Sequence, residues 1–133
     1  MSSVDRPLTG DVLAFTLAEE IRHLRESLKD ASSRSARTLV KDGPQGPLSM
    51  TLVGLKPGGE MREHEARGPV TLQVLEGTVV LERGDTSVPL ATGMVAALGP
   101  GIRHSVRSAD GGIFLLTVTA TSHSGAAFGS RKS

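Results

Sequence analysis

Two histidines lie within two short glycine clusters, and they are the residues of this chain best suited to chemistry near neutral pH. His64 lies between Gly58 and Gly77, and His104 follows Gly93. Because an imidazole titrates near neutrality, such a residue can exchange a proton, hydrogen-bond a ligand or coordinate a metal ion. The two histidines are therefore the first candidates for a functional site.

The spacing of these clusters resembles the two sequence motifs of the cupin family. The first cupin motif is glycine, five residues, His-x-His, three or four residues, glutamate, six residues and glycine. The second is glycine, five residues, Pro-x-Gly, two residues, histidine, three residues and asparagine. The matching positions here are Gly58, His64 and Gly77, then Gly93, Gly101 and His104. The resemblance covers residues 58–108 and implies an antiparallel double-stranded β-helix, the cupin-type jelly-roll barrel, around one ligand cavity.

The second motif is departed from at Gly99 and Ser108, where proline and asparagine are expected. The departures from the first motif fall on metal ligands. Cupins that bind iron, manganese, zinc or nickel use both histidines and the glutamate of the first motif and the histidine of the second. By this resemblance His64 and His104 are possible ligands, while Ala66 and Val70 occupy the other two ligand positions. Two imidazoles alone would hold a divalent ion weakly. We expect a degenerate metal site and assign no cofactor, with a divalent transition metal as the open alternative.

Three interpretations of the histidine pair remain open. The pair is a residual metal site, a metal-free pair that hydrogen-bonds a ligand or acts as acid and base, or a structural feature; we favour the second. Arg62 shares the strand parity of His64. Pointing inward, it would attract a carboxylate or phosphate; pointing outward, it would be an ordinary surface residue. His64, His104 and Arg62 are thus the candidate cavity residues, and no catalytic residue is assigned.

The elements that must position these residues are predicted to be strands. Short segments rich in valine, leucine, isoleucine and threonine alternate with glycine- and proline-containing turns. The predicted strands are residues 36–41, 48–55, 60–65, 70–75, 78–82, 86–90, 94–98, 104–107 and 113–119. Strands at such regular spacing predict an all-β sandwich or barrel.

One helix is predicted before the barrel, over residues 16–30. Thr16 and Glu19 have the spacing of a capping box, and four aliphatic residues form one stripe: Leu17, Ile21, Leu24 and Leu28. The stripe indicates either a partner or dimer-forming helix or, as we favour, a helix that packs on its own domain. The chain is thereby divided into an arm and helix (1–34), a cupin barrel (35–120) and a mobile tail (121–133).

Composition excludes several classes of partner and chemistry. Fifteen basic and fourteen acidic residues are interspersed, which argues against nucleic acid or membrane as a partner. The chain has no cysteine, which excludes disulfides and thiolate sites, and only 2% aromatic residues, which disfavours stacking platforms. Without an apolar run of about 20 residues, the expected location is the cytoplasm.

The sequence therefore predicts a single-domain cupin that binds a small-molecule ligand without a tightly bound metal. The alternative is a metal-dependent cupin enzyme, an oxygenase, isomerase or decarboxylase, with an incomplete ligand set. A homodimer is expected by analogy with small cupins and from the apolar stripe of the helix. The sequence does not define the ligand.

Overall fold

The computed structural model describes residues 12–41 and 48–119, which form one helix and eight strands. The elements are α1 (Leu17–Asp30), β1 (Arg34–Lys41), β2 (Leu48–Leu55), β3 (Glu60–His64), β4 (Val70–Arg83), β5 (Thr86–Ala91), β6 (Val95–Leu98), β7 (His104–Arg107) and β8 (Gly112–Thr119). The predicted all-β architecture with one N-terminal helix is confirmed.

All strand pairs are antiparallel, and β4 is shared by two sheets. The first sheet has the order β1-β2-β8-β4-β6, using the first half of β4. The second has the order β5-β4-β7-β3, using its second half. The curled sheet that results surrounds the core.

The prediction of two strands over residues 70–82 is wrong, because β4 runs through the predicted turn. A bulge lies between Val74 and Glu76, and Gly77 follows with a φ of 75°. A bulge together with one left-handed residue bends a strand without ending it. Gly77 also permits close packing, since a Cβ there would lie 2.4 Å from the carbonyl oxygen of Gly111. The glycine therefore carries the chain from one sheet to the other.

Alternation along β4 shows which face of the sheets forms the core. Leu72 and Val74 are fully buried, whereas Thr71 and Gln73 are exposed. Aliphatic side chains from both sheets fill the inside of the barrel together with one aromatic ring: Val53, Leu55, Met61, Leu72, Val74, Val79, Leu81, Leu90, Val106 and Phe114. Burial of this apolar surface is the main force that closes the barrel.

The helix packs on the outer face of the first sheet. Leu24 is fully buried there and, with Leu28, lies against Gly54 of β2, where an added Cβ would come within 3.3 Å of both leucines. Arg37 of β1 donates a hydrogen bond from Nε to Glu20 of α1 at 2.6 Å. The interpretation of α1 as a helix that covers its own domain is confirmed. Its apolar stripe is therefore not the surplus surface that suggested a dimer.

Thr16 is the N-cap residue, as predicted. The predicted capping box, in which the Thr16 side chain accepts a backbone hydrogen bond, is wrong. The Thr16 side chain makes no capping hydrogen bond. Its carbonyl oxygen instead accepts hydrogen bonds from the backbone N–H groups of Glu19 and Glu20, at 3.0 and 3.1 Å. The helix start is thus fixed by the backbone.

Three predictions fall outside the described residues: the arm before residue 12, the turn at residues 42–44 and the tail at 121–133. The domain limits stay a prediction for that reason. Within residues 12–41 and 48–119, no helical segment has the length and apolar character that spanning a bilayer requires.

Candidate functional site

His64 and His104 meet on neighbouring strands. They are direct partners in the antiparallel register of β3 and β7. Their ring centroids are 4.3 Å apart, and the ring planes are inclined by 57°. The predicted approach of the two imidazoles is confirmed.

A bulge in β3 places His64 beside its partner. Met61 and His64 both have partners in β7, and the register shifts between them. Met61 joins the barrel core, the intervening Arg62 and Glu63 are exposed, and His64 is half-buried. Strict alternation would have put Arg62 on the face of His64, and this expectation is wrong because the bulge inserts an extra residue.

Both imidazoles are anchored in the same way. Nδ1 of His64 lies 2.9 Å from the carbonyl oxygen of Arg62, and Nδ1 of His104 lies 3.0 Å from that of Ile102. A carbonyl oxygen only accepts, so each Nδ1 donates its proton. In the neutral rings, each Nε2 therefore carries the lone pair and is a hydrogen-bond acceptor.

His104 is the more buried of the two residues. It is 1% exposed, and its Nε2 has no hydrogen-bond partner among the described residues. Burial lowers the pKa of His104 below its usual 6.5; the hydrogen bond to Ile102 opposes this shift, and the nearby charge of His64 adds to it. The favoured state is a neutral imidazole with a buried, unused acceptor.

Comparison with known proteins identifies the architecture. No family model and no curated protein matches the sequence. Among solved structures, a Klebsiella pneumoniae protein with a double-stranded β-helix domain superposes with a TM-score of 0.67 at 16% identity, over 84% of this chain and 93% of its own. A cupin superfamily protein from Desulfitobacterium hafniense gives a TM-score of 0.63 at 18% identity, over 71% of this chain and 85% of its own. This chain has the cupin fold.

A third similar structure, from Silicibacter pomeroyi, is described as a sugar phosphate isomerase of the cupin superfamily. It gives a TM-score of 0.56 at 25% identity, and the alignment covers 67% of this chain and 60% of that one. That activity belongs to the Silicibacter protein.

The donor set of this chain does not fit a metal cage of three or four ligands. Within the described ranges, no group of three or more histidine, aspartate or glutamate side chains could hold a metal ion. Ala66 is half-buried and Val70 is 2% exposed, and neither side chain has a donor atom. Two imidazoles without further ligands give neither a closed structural site nor the three ligands of a catalytic one. We therefore derive no chemical step through a metal.

Arg62 does not join the histidines. Its side chain is exposed and lines a groove on the outside of the barrel with Arg34 and Glu60. Glu63, next in sequence, also faces outward, where it pairs with Arg103 at 3.3 Å. The charged residues beside the two histidines thus belong to the outer surface.

Ser108 has a role that sequence reasoning missed. Its hydroxyl donates a hydrogen bond to the carbonyl oxygen of Thr78 at 2.6 Å and accepts one from the N–H of Gly111 at 2.9 Å. Its backbone is bonded to Gly58 and Gly59, at 2.8 and 3.1 Å. Ser108 stands where the second cupin motif has asparagine, and that position was the available signal. This buried serine joins the turn before β3 to the end of β7.

Proposed function

We propose that this cupin binds a small, hydrogen-bond-donating molecule at the end of the barrel where His64 and His104 meet. The proposal depends on one observation: Nε2 of His104 is buried and has no hydrogen-bond partner in the part of the chain that the structure describes. Leaving a buried polar atom unsatisfied costs about 1–3 kcal/mol, so a molecule that donates a hydrogen bond there recovers part of this penalty, less the cost of desolvating its own donor.

The chemistry of the pair defines the ligand class. In its neutral form His104 presents an acceptor through Nε2, because its Nδ1 proton is given to the carbonyl oxygen of Ile102. The ring of His64 is anchored in the same way, by the carbonyl oxygen of Arg62. Hydroxyl and amide N–H groups match the Nε2 acceptor of His104. A carboxylate would find no donor in the neutral rings, and the outward position of Arg62 provides no inward cation. Polyols and small amides are therefore the favoured classes.

A ligand-observed NMR screen tests this proposal. We expect at least one compound from a panel of small polyols and amides to bind the parent protein. His104→Phe fills the same space without an acceptor and should abolish that binding. His23→Phe, on the exposed face of α1, is the matched control and should retain it. Equal binding to His104→Phe, or no binding from the panel, would contradict the proposal.

The second candidate is a metal-dependent enzyme, and one observation favours it. Metal-binding histidines usually donate their second ring N–H to a carbonyl or carboxylate, as both imidazoles do here. The likeness to the Silicibacter structure described as an isomerase adds support. If the protein were such an enzyme, His64 and His104 would be two of the metal ligands, and water or substrate would have to supply the others.

Titration with Zn²⁺, Ni²⁺ and Mn²⁺ by calorimetry separates the two candidates. We expect weak binding by the parent. The double variant Ala66→His, Val70→Glu should bind markedly more tightly, because each added ligand replaces a water molecule and fixes geometry. Tight stoichiometric binding by the parent would favour the enzyme. Unchanged weak binding by a folded double variant would show that residues 66 and 70 do not face the histidines.

A further inference from the structure

A pocket lies outside the barrel, between the second half of α1 and the strands beneath it. Its volume is about 450 Å³, within the range of about 300–1,000 Å³ typical of small-molecule sites. The end of β2, the middle of β4 and the start of β8 form the other walls. None of its residues belongs to the histidine pair, so it is a separate candidate site.

The lower part of this pocket is apolar. Leu28 of α1 lines it together with Ile113, which is 5% exposed, and with Leu55 at the end of β2, whose side chain belongs to the barrel core. Three glycines leave the floor between them free of side chains: Gly77, Gly111 and Gly112. An aliphatic chain placed there would exchange water contacts for contacts with leucine, isoleucine and backbone methylene groups, which is favourable.

The rim of the pocket is cationic. Arg25, Lys29 and Lys56 line it together with a single carboxylate, Glu76, which pairs with Arg25. Nζ of Lys56 is held by two helix-terminal carbonyl oxygens, those of Lys29 at 3.2 Å and Ala31 at 2.6 Å.

Lys29 is the rim cation most available to a ligand. Its side chain is 71% exposed, and its closest carboxylate, Glu26, lies at 3.7 Å on the same helix. An exposed pair at this distance contributes little and is readily exchanged for another anion. A ligand anion can therefore gain a contact at Lys29 without disrupting the packing of α1.

We propose that this pocket binds an amphipathic monocarboxylate, a molecule with one carboxylate and a short aliphatic chain. The chain would occupy the apolar floor beneath Leu28, and the carboxylate would lie at the rim near Lys29 and Arg25. Three cations against one carboxylate favour an anion over a cation of the same shape. The apolar floor selects against anions that lack a hydrophobic part.

Octanoate is the probe, and binding to the full-length protein is measured by calorimetry. We expect octanoate to bind, and acetate and octylammonium not to bind in the same concentration range. Lys29→Glu should weaken octanoate binding about tenfold, which corresponds to about 1.4 kcal/mol. Arg22→Glu changes the net charge equally, lies on the exposed face of α1 outside the pocket, and should leave the affinity unchanged.

Further measurements test whether octanoate binds in this pocket or at the histidine pair, and whether another molecule or segment occupies the pocket. His104→Phe should bind octanoate normally; loss of binding there would move the ligand to the histidine pair and overturn the proposal. Equal binding of octylammonium, or an unchanged affinity in Lys29→Glu, would also overturn it. So would octanoate binding that appears only after truncation at Thr119, since the chain's own tail would then be the natural occupant.

Discussion

A buried histidine and a buried serine show how single residues of this protein have different roles in the structure. His104 holds an acceptor that the described residues leave unused, whereas Ser108, four positions later, uses both its donor and its acceptor. The first arrangement leaves a group free for a ligand. The second stabilises the fold.

Ser108→Ala should destabilise the protein. The substitution leaves the carbonyl oxygen of Thr78 and the N–H of Gly111 without their partner, which should lower the free energy of unfolding by about 1–3 kcal/mol. Ser87→Ala, at an exposed position of β5, is the matched control, with an expected change within about 0.5 kcal/mol. Urea unfolding measures both. Equal stability of the two variants would show that the Ser108 bonds contribute nothing.

His104 should make stability depend on pH. Because its pKa is lowered from 6.5 on folding, the unfolded chain binds a proton at pH values where the folded chain does not. Stability should therefore be complete above about pH 6.5 and decrease as pH falls toward the folded-state pKa.

Urea unfolding at about pH 7.5 and about pH 5 checks this dependence. His104→Gln should show a smaller loss of stability between the two pH values than the parent, because its side chain does not titrate. His23→Gln, on exposed helix surface, should lose as much as the parent. An identical loss in His104→Gln would show that this histidine does not contribute.

At the scale of elements, most strand positions could be predicted from the sequence, because short apolar runs between glycine turns have few alternatives. β2 and β7 have the predicted bounds. Two backbone irregularities, one in β4 and one in β3, were not predicted. Gly77 bends a strand instead of ending it, and the β3 bulge turns Arg62 outward.

Amino-acid composition does not distinguish a strand that ends at a glycine from one that bends there. A glycine with positive φ serves a turn or a bend equally well, and only pairing with the neighbouring strands shows which. Likewise, the extra residue in β3 can be recognised only from the pairing of β3 with β7. The identity of the histidine pair was therefore predictable, whereas the face of each neighbouring residue was not.

Leu24→Ala tests how firmly α1 is held on the barrel. Leu24 is 0% exposed, so the substitution removes apolar contacts and leaves a cavity, and we expect a loss of about 2–5 kcal/mol. Leu17→Ala, on the same helix but 36% exposed, should cost much less. Thermal and urea unfolding provide the comparison. Similar costs at both positions would mean that the helix is not anchored through Leu24.

On the scale of the whole molecule, the four sheet edges differ in how they are protected. Edge strands commonly carry charges or proline, which discourage pairing with other chains. β1 contains arginine and lysine, β3 contains glutamate and arginine, and β5 contains Pro89. β6 has neither charge nor proline, and among the described residues it pairs with β4 alone. Val95 on this strand is 58% exposed.

We propose that the expected homodimer forms through β6, with two copies paired antiparallel about a two-fold axis. Sedimentation equilibrium should show a dimer for the parent. Val95→Lys should give a monomer, because a charge on an edge strand opposes pairing. Val88→Lys, on the β5 edge at 39% exposure, should leave the dimer intact. A parent protein that is monomeric at all concentrations would contradict this proposal.

The position of β8 between β2 and β4 also bears on how the chain is made. β8 follows all the other described strands in the chain, yet it is the one that joins the two halves of the first sheet. During synthesis on the ribosome, the segments of β1, β2, β4 and β6 are therefore made before the strand that links them. Until residues 112–119 emerge, the nascent barrel is open along its length, and its inner aliphatic residues are accessible to chaperones.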